Sequence, residues 1–297
     1  MAAGRPILRN LFALGGAQVV TTITAMITTI ILARVLGPAA YGILGFGVAL
    51  ISYFGLAVNI GMDAHAVRVI ARTPAHGNSV VKMLIFSRVL LAATFATALM
   101  VAVPLMGWSE QVQTVVKIQC LGLFGVALTL DFFYQARQKM EIVAFRQVAA
   151  AIAGMVAVVL WVREADDLFL AASVPITAHI LSAAALCVYF LLISRGGAGK
   201  LPILSRANFV KRSLPIALMG VLTTIYVNLD IVILGFLVGE SEVGLYVAAS
   251  KILAVAVIVP NLLHSVFYPA LAEVMDDDVA RERMVENLIR VLAFFGG

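Results

Sequence analysis

Eight apolar runs, each about as long as a lipid bilayer is thick, decide what this chain can become. They lie near residues 11–33, 42–62, 83–106, 114–134, 143–162, 168–193, 213–237 and 244–270. A helix needs about 20 mostly apolar residues to cross a hydrocarbon core of about 30 Å. Composition agrees: 62% of the chain is apolar and 12% charged, where soluble domains run at about 45–50% and 25%. The expected fold class is an all-α polytopic membrane protein, with room for about nine spans. A ninth run starts near Asn287 and reaches Gly297, only about 16 Å of helix, and reads as an incomplete span. The first run follows Arg5 and Arg9 as a signal peptide would. It exceeds the roughly 7–15 apolar residues of such a segment and shows no cleavage site, so it counts as a span.

Lysine and arginine set the expected orientation. One set of connections carries Arg5, Arg9, Arg68, Arg72, Lys82, Arg137, Lys139, Arg146, Arg195, Lys200, Arg206, Lys211, Arg212, Arg281, Arg283 and Arg290, which is 16 of the 21 basic residues. The alternate connections carry only Arg34 and Arg163. By the positive-inside rule the N-terminus is cytoplasmic. The basic charge is then topology and gives no support to nucleic-acid binding.

The chain also matches itself. At an offset of 202 residues, LARVLGPAAYGILG (32–45) lies over LGFLVGESEVGLYV (234–247). Gly37 falls on Gly239, Gly42 on Gly244, Leu32 on Leu234, Thr21-Thr22-Ile23 on Thr223-Thr224-Ile225, and Asn59 on Asn261. Glycines at both ends of the short turn let the chain reverse tightly. The match pairs span 1 with span 7 and span 2 with span 8, a parallel repeat about an axis along the membrane normal, as in the halves of some transporters. Residues 1–198 then form a first six-helix bundle and 199–297 the start of a second. The second bundle should be incomplete here, short by roughly 100 or more residues on the span arithmetic.

Several chemistries are excluded. Cys120 and Cys187 lie inside apolar runs and make no CxxC or zinc spacing, so no metal or disulfide framework is expected. There is no P-loop, HExxH or nucleophile elbow, and Gly45-Phe46-Gly47 has no phosphate loop after it. No cofactor and no enzymatic activity are expected. The outer connections 34–41, 107–113, 163–167 and 238–243 are too short for a folded domain. Asp276, Asp277 and Asp278 read as the solvated start of a surface helix at 278–290, where carboxylates suit the helix dipole.

Three stretches carry a family resemblance. ARVLGPAAYGILGFGVALISYFGLAVNIGMDAHAVRVIAR (33–72) resembles the opening of bacterial oligosaccharide flippases, of the multidrug/oligosaccharidyl-lipid/polysaccharide export superfamily. FFYQARQKMEIVAFRQ (132–147) is similar to the family's connection between spans 4 and 5, and YVNLDIVILGFLVGESEVGLYVAASKI (226–252) to its spans 7 and 8. The resemblance implies two helix bundles around a central cavity. It also implies alternating access that moves a polyprenyl-diphosphate-linked oligosaccharide from the cytoplasmic to the outer leaflet of the bacterial inner membrane. Expected partners are the lipid-linked oligosaccharide, the bilayer, and a polysaccharide polymerase or other assembly proteins.

Charges inside spans are costly and are functional candidates by default. Arg88 lies about 8 Å inside span 3; it can snorkel outward or, beside Ser87, face an open cavity. Lys117 and Asp131 lie near span ends and read as interfacial. Asp230 and Lys251 sit about 10 Å deep on neighbouring antiparallel spans. They can form a static pair, or Lys251 can be a cavity cation for diphosphate with Asp230 a coupling site for H⁺ or Na⁺. His179 is a proton-coupling candidate by its titration near neutrality, or a packing histidine, as is His264. Asn59 and Asn228 need partners in lipid, from neighbouring helices or from sugar hydroxyls. Arg34 sits at the mouth of span 1. The substrate candidates are therefore Arg34, Asn59, Arg88, Asn228 and Lys251, and the ion-coupling candidates Asp230 and His179. Ala92/Ala96 and Ala150/Gly154 have helix-packing spacing, and Pro175 and Pro260 should kink spans 6 and 8. Mixed embedded charge favours an anionic head group over the cationic drugs of a multidrug exporter. Short outer loops argue against a glycosyltransferase or polymerase. A non-transporting scaffold stays open.

Overall fold

Gly37 divides the longest helical stretch of the chain. Helix α1 (Gly4–Asn59) runs through 56 residues, but Gly37 takes φ 76° and ψ 173° inside it. Only glycine adopts that conformation without cost. Pro38 follows, with a φ already suited to a first helical turn and no N–H to leave unpaired. A first limb (residues 4–36) and a second limb (38–59) result. The expected spans 11–33 and 42–62 are these limbs, joined by one residue rather than by an eight-residue connection.

The computed structural model describes residues 4–193 and 206–256, with side chains described for 13–192 and 209–251. Pro260, Asn261, His264, the acidic run at 276–278 and the ninth run lie outside the described residues. After α1 come α2 (Met62–Arg72), a 3₁₀ turn (Pro74–His76), α3 (Gly77–Ala102) and a second 3₁₀ turn (Val103–Met106). Then follow α4 (Glu110–Cys120), α5 (Gly122–Leu128), α6 (Asp131–Ala136), α7 (Met140–Trp161), α8 (Leu168–Ile193), α9 (Arg206–Leu237) and α10 (Glu240–Ala256). Among the described residues, six helical stretches are long and apolar enough to cross a membrane, the first of them folded at Gly37. This is an all-α, multi-pass membrane protein.

Two elements depart from the hydropathy expectation. The second limb stops at Asn59, and left-handed Ile60 and Gly61 turn the chain into α2. That helix buries Met62, Ala66 and Ile70 at intervals of four and packs on α6 and α9; its basic residues belong to an amphipathic helix, not to a loop. Span 4 is not one helix. It is α4, α5 and α6 in series, with the ladder tightened where Leu121 N–H donates to Ile118 O and Phe124 N–H to Leu121 O, and Thr129 extended. By contrast α8 has the expected bounds 168–193, and Pro175 sits inside it.

Two apolar cores hold the spans together. One gathers Ile43, Ala49, Val115, Cys120, Leu123 and Ala171. The other gathers Met62, Val80, Leu84, Phe132, Phe133 and Phe190. Ala92 and Ala96 are buried as their spacing predicts. Cys120 and Cys187 are free and buried.

The short connection before α8 is closed by Asp167, whose Oδ2 accepts from the N–H groups of Arg163 at 2.8 Å and Glu164 at 3.0 Å. The bond from Arg163 N–H, then that from Glu164 N–H, holds the Asp167 carboxyl below its ordinary value. A depressed carboxylate stabilises the turn above its unfolded pKa and loses that contribution as pH falls through the lowered value. NMR of the Arg163 and Glu164 amides should show them titrating below a peptide of the same sequence. Titration at the peptide's own pKa would refute the closure.

Candidate functional site

The site is built where the segments matched at the 202-residue offset meet. At the end carrying the Gly37 and 238–239 turns, the second limb and α10 touch backbone to backbone. A Cβ on Gly42 would lie 1.9 Å from Glu240 O and 2.8 Å from Gly244 N. A Cβ on Gly244 would lie 1.9 Å from Pro38 O and 3.0 Å from Gly42 N. Pro38 and Glu240 are themselves one repeat apart, so the contacts are reciprocal, as a two-fold axis between matched segments requires. Gly45 meets Val247, its own repeat partner. Phe46 lies against Gly235 and stacks edge-on with Trp108 and Phe236, and Ser109 donates to Glu240 at 3.0 Å. These contacts close the second limb on α10 at the turn end, beside a pocket of about 190 Å³ lined by Gly42, Phe46, Trp108 and Glu240.

Below it lie two chambers. One, of about 670 Å³, is lined by Thr21, Thr24 and Thr28 of α1, Arg146 and Gln147 of α7, and His179 of α8. The threonines recur at helical spacing on one face, and Thr24 and Thr28 satisfy their hydroxyl protons on their own helix, at Val20 O and Thr24 O. The other, of about 540 Å³, is walled by Leu44, Ile51, Leu123, Ile176 and Val247. Val48, Pro175 and Lys251 line both. No carboxylate lines either chamber among the described residues.

The sequence candidates divide between these chambers and other places. Lys251 stands at the junction. The expected pair with Asp230 does not form among the described side chains: Asp230 instead accepts the Tyr246 hydroxyl, tying α9 to α10. Equal depth did not bring equal facing. His179 lines the polar chamber and packs its ring on Gly125, where a Cβ would be 2.5 Å from Cδ2. Asn228 lines the apolar chamber and bonds back to Thr224 O at 3.4 Å. Arg34 is exposed and lines neither chamber.

Arg88 and Asn59 come together, but away from both chambers. Arg88 is 1% exposed. Its Nη2 donates to Asp63 Oδ1 at 2.5 Å and to Asn59 Oδ1 at 2.9 Å, and Nη1 to Thr129 O at 3.4 Å. Asn59 Nδ2 donates to Asp63 Oδ2 at 2.8 Å, and the guanidinium lies 5.1 Å from the Phe132 ring. Both candidates are thus engaged inside the protein, where they brace the turn from α1 into α2.

Arg146 was missed as a site residue because it counted among the connection's basic residues. It is 9% exposed, and grips Asp131 through Nε at 2.8 Å and Nη2 at 2.6 Å. Gln147 also donates to Asp131, at 3.3 Å. Asp131, expected at the interface, orients the chamber's arginine. Its spacing of 15 from Arg146, across the α6–α7 turn, was the available signal.

Known proteins agree with this architecture. The chain is 24% identical over 302 residues to the "Putative O-antigen transporter" of Escherichia coli (strain K12), covering 97% of this chain and 71% of that protein. Its fold matches a multidrug resistance MATE family transporter of the MOP superfamily, solved in an inward-facing conformation, at TM-score 0.70 and 14% identity, over 93% of this chain and 68% of that one. A MOP superfamily transporter from Pyrococcus furiosus matches at TM-score 0.57 and 16% identity, over 98% and 69%. Residues 7–275 match the family described as polysaccharide biosynthesis protein, and the chain belongs to that family.

Proposed function

We propose that the chain is a flippase for a polyprenyl-diphosphate-linked oligosaccharide, working by alternating access in a bacterial cytoplasmic membrane with its N-terminus inside. The observation that carries this reading is the chemistry of the polar chamber. Its charged lining is Lys251, with no carboxylate against it among the described residues, and Arg146, whose charge Asp131 balances at 2.6 Å; its remaining polar groups are amides, hydroxyls and an imidazole. An ammonium suits a diphosphate, while amides and hydroxyls suit sugar. A chamber for cationic drugs would need a carboxylate on its wall. Lys251 binds diphosphate, with Asn228 beside it. Arg146 is held in place by Asp131. His179, on the same wall, couples transport to proton movement, and Asp230 braces the α9–α10 hairpin. The excess of basic residues on one set of connections supports the orientation, which turns the closed glycine contact outward.

The test is a strain deleted for the gene, with and without complementation, in which surface polysaccharide and lipid-linked oligosaccharide on the cytoplasmic leaflet are quantified. Loss of the first and accumulation of the second, both rescued by the gene, are expected. Lys251→Ala should cut rescue by about tenfold, the equivalent of one charge-assisted contact of about 1.4 kcal/mol. Normal glycan with raised drug sensitivity would instead establish the multidrug exporter.

A further inference from the structure

The two chambers differ in chemistry and share a wall, and among the described residues the one charged side chain common to both is Lys251. Each is within the range of about 300–1,000 Å³ that holds a drug-sized ligand. The polar chamber offers threonine, glutamine, arginine and histidine side chains. The apolar chamber has few polar groups, Tyr41, Ser52, Gln119 and Asn228 beside Lys251 among the described residues, and two of them are turned into the protein. Gln119 Nε2 donates to Leu44 O at 3.1 Å. Its Oε1 faces the α-carbon of Gly47, where an added Cβ would lie 2.0 Å away. Ser52 donates to Ala49 O at 2.7 Å. Among the described residues the rest of the lining is mostly aliphatic, with the Lys251 ammonium and the Asn228 amide as its polar groups on α9 and α10.

A ligand that fills both chambers must be apolar at one end, polar at the other and anionic between. We infer that the apolar chamber takes the isoprene units nearest the head group, that Lys251 meets the diphosphate, and that the glycan occupies the polar chamber. The root of the lipid is then drawn into the protein between the two repeats, not left in the bilayer while the head group alone enters. The aliphatic wall is the reason: apolar surface left facing an empty or wet chamber is unfavourable by about 25 cal/mol per Å², and an isoprenoid covers it without unpaired polar atoms. This inference rests on the flippase reading, and the experiment separates the two.

The test uses the purified chain in nanodiscs, with farnesyl diphosphate and inorganic diphosphate as probes and binding measured by calorimetry. Farnesyl diphosphate is expected to bind more tightly than diphosphate. Gly55 lines the apolar chamber, and a Cβ there meets only Val126 Cγ2, at 3.8 Å, so Gly55→Leu has room to project into it. Filling the chamber with this variant should weaken farnesyl diphosphate by about tenfold and leave inorganic diphosphate unchanged. A geranyl diphosphate carrying a photoreactive benzophenone should label the unmodified chain at Val126 and Ile176, which line the chamber and are part-exposed, a readout that does not depend on any variant folding. Equal binding of both probes, indifference to Gly55→Leu and labelling confined to lipid-facing positions such as Leu181 would overturn the inference while leaving the head-group reading intact. Failure of both probes to bind, with Lys251→Ala making no difference to export, would overturn the flippase reading and this inference with it.

Discussion

Gly244→Ala is expected to part the two repeats at their turn end. The added methyl would sit 1.9 Å from Pro38 O and 2.7 Å from Pro38 C. Both are backbone atoms at the start of the second limb, so no side chain can rotate away. The helices must separate, and overpacking of this kind costs about 1–3 kcal/mol. Spent on the closed turn end alone, that shifts the ratio of closed to open forms by about 5–150-fold. Gly42→Ala meets Glu240 O by the same geometry and should do the same. In an alternating-access cycle, a protein that cannot close one end cannot load from the other, so glycan export should fall with the population. Accessibility reports it directly. Ile43 is 2% exposed, and a cysteine there should resist an impermeant thiol reagent until Gly244→Ala is added. Cys120 and Cys187, both buried, supply little background. Unchanged labelling together with full export would sink the idea that this contact closes the site.

How much of this could be read beforehand follows from what hydropathy measures. Crossing a bilayer demands a length of apolar chain, so the limbs of α1, and α3, α7, α8 and α9, were legible. Hydropathy ignores hydrogen-bond continuity, so the division of span 4 into α4, α5 and α6 was not. The α2 helix was hidden for another reason: Arg68 and Arg72 drew attention as topology markers, while Met62, Ala66 and Ile70 carried the amphipathic pattern.

The candidate site shows the same division. Helical rise gives depth, and it set Asp230 and Lys251 level. Rotation about the helix axis decides facing, and no run of apolar residues all round a span reveals it. Asp230 turns to Tyr246, and Lys251 to the chambers. The repeat was the more informative signal, because a match at one offset constrains pairs. Gly42 and Gly244, aligned as equivalents, are in fact neighbours across the axis.

The largest loss of stability is expected from Asp63→Ala. Arg88 is buried to 1% exposure, and Asp63, itself 38% exposed, is the one carboxylate that meets it among the described residues. Removing one partner of a buried pair costs about 3–5 kcal/mol, because the remaining charge is left uncompensated. Asn59 still accepts from Nη2, and water reaches the Asp63 side, so the low end of about 3 kcal/mol applies. Thermal unfolding in detergent measures it. Arg88→Met combined with Asp63→Ala should recover part of the loss, since an apolar side chain of similar length has no charge to orphan. Arg88→Lys should not restore wild-type stability, because one ammonium cannot reproduce the planar fork that reaches Asn59, Asp63 and Thr129 together. None of these residues lines either chamber, so export per folded molecule should stay near wild type while the amount of protein falls. A double variant less stable than Asp63→Ala would contradict the buried-charge account. Export lost at normal protein level would return Arg88 to the substrate path, where the sequence first suggested it.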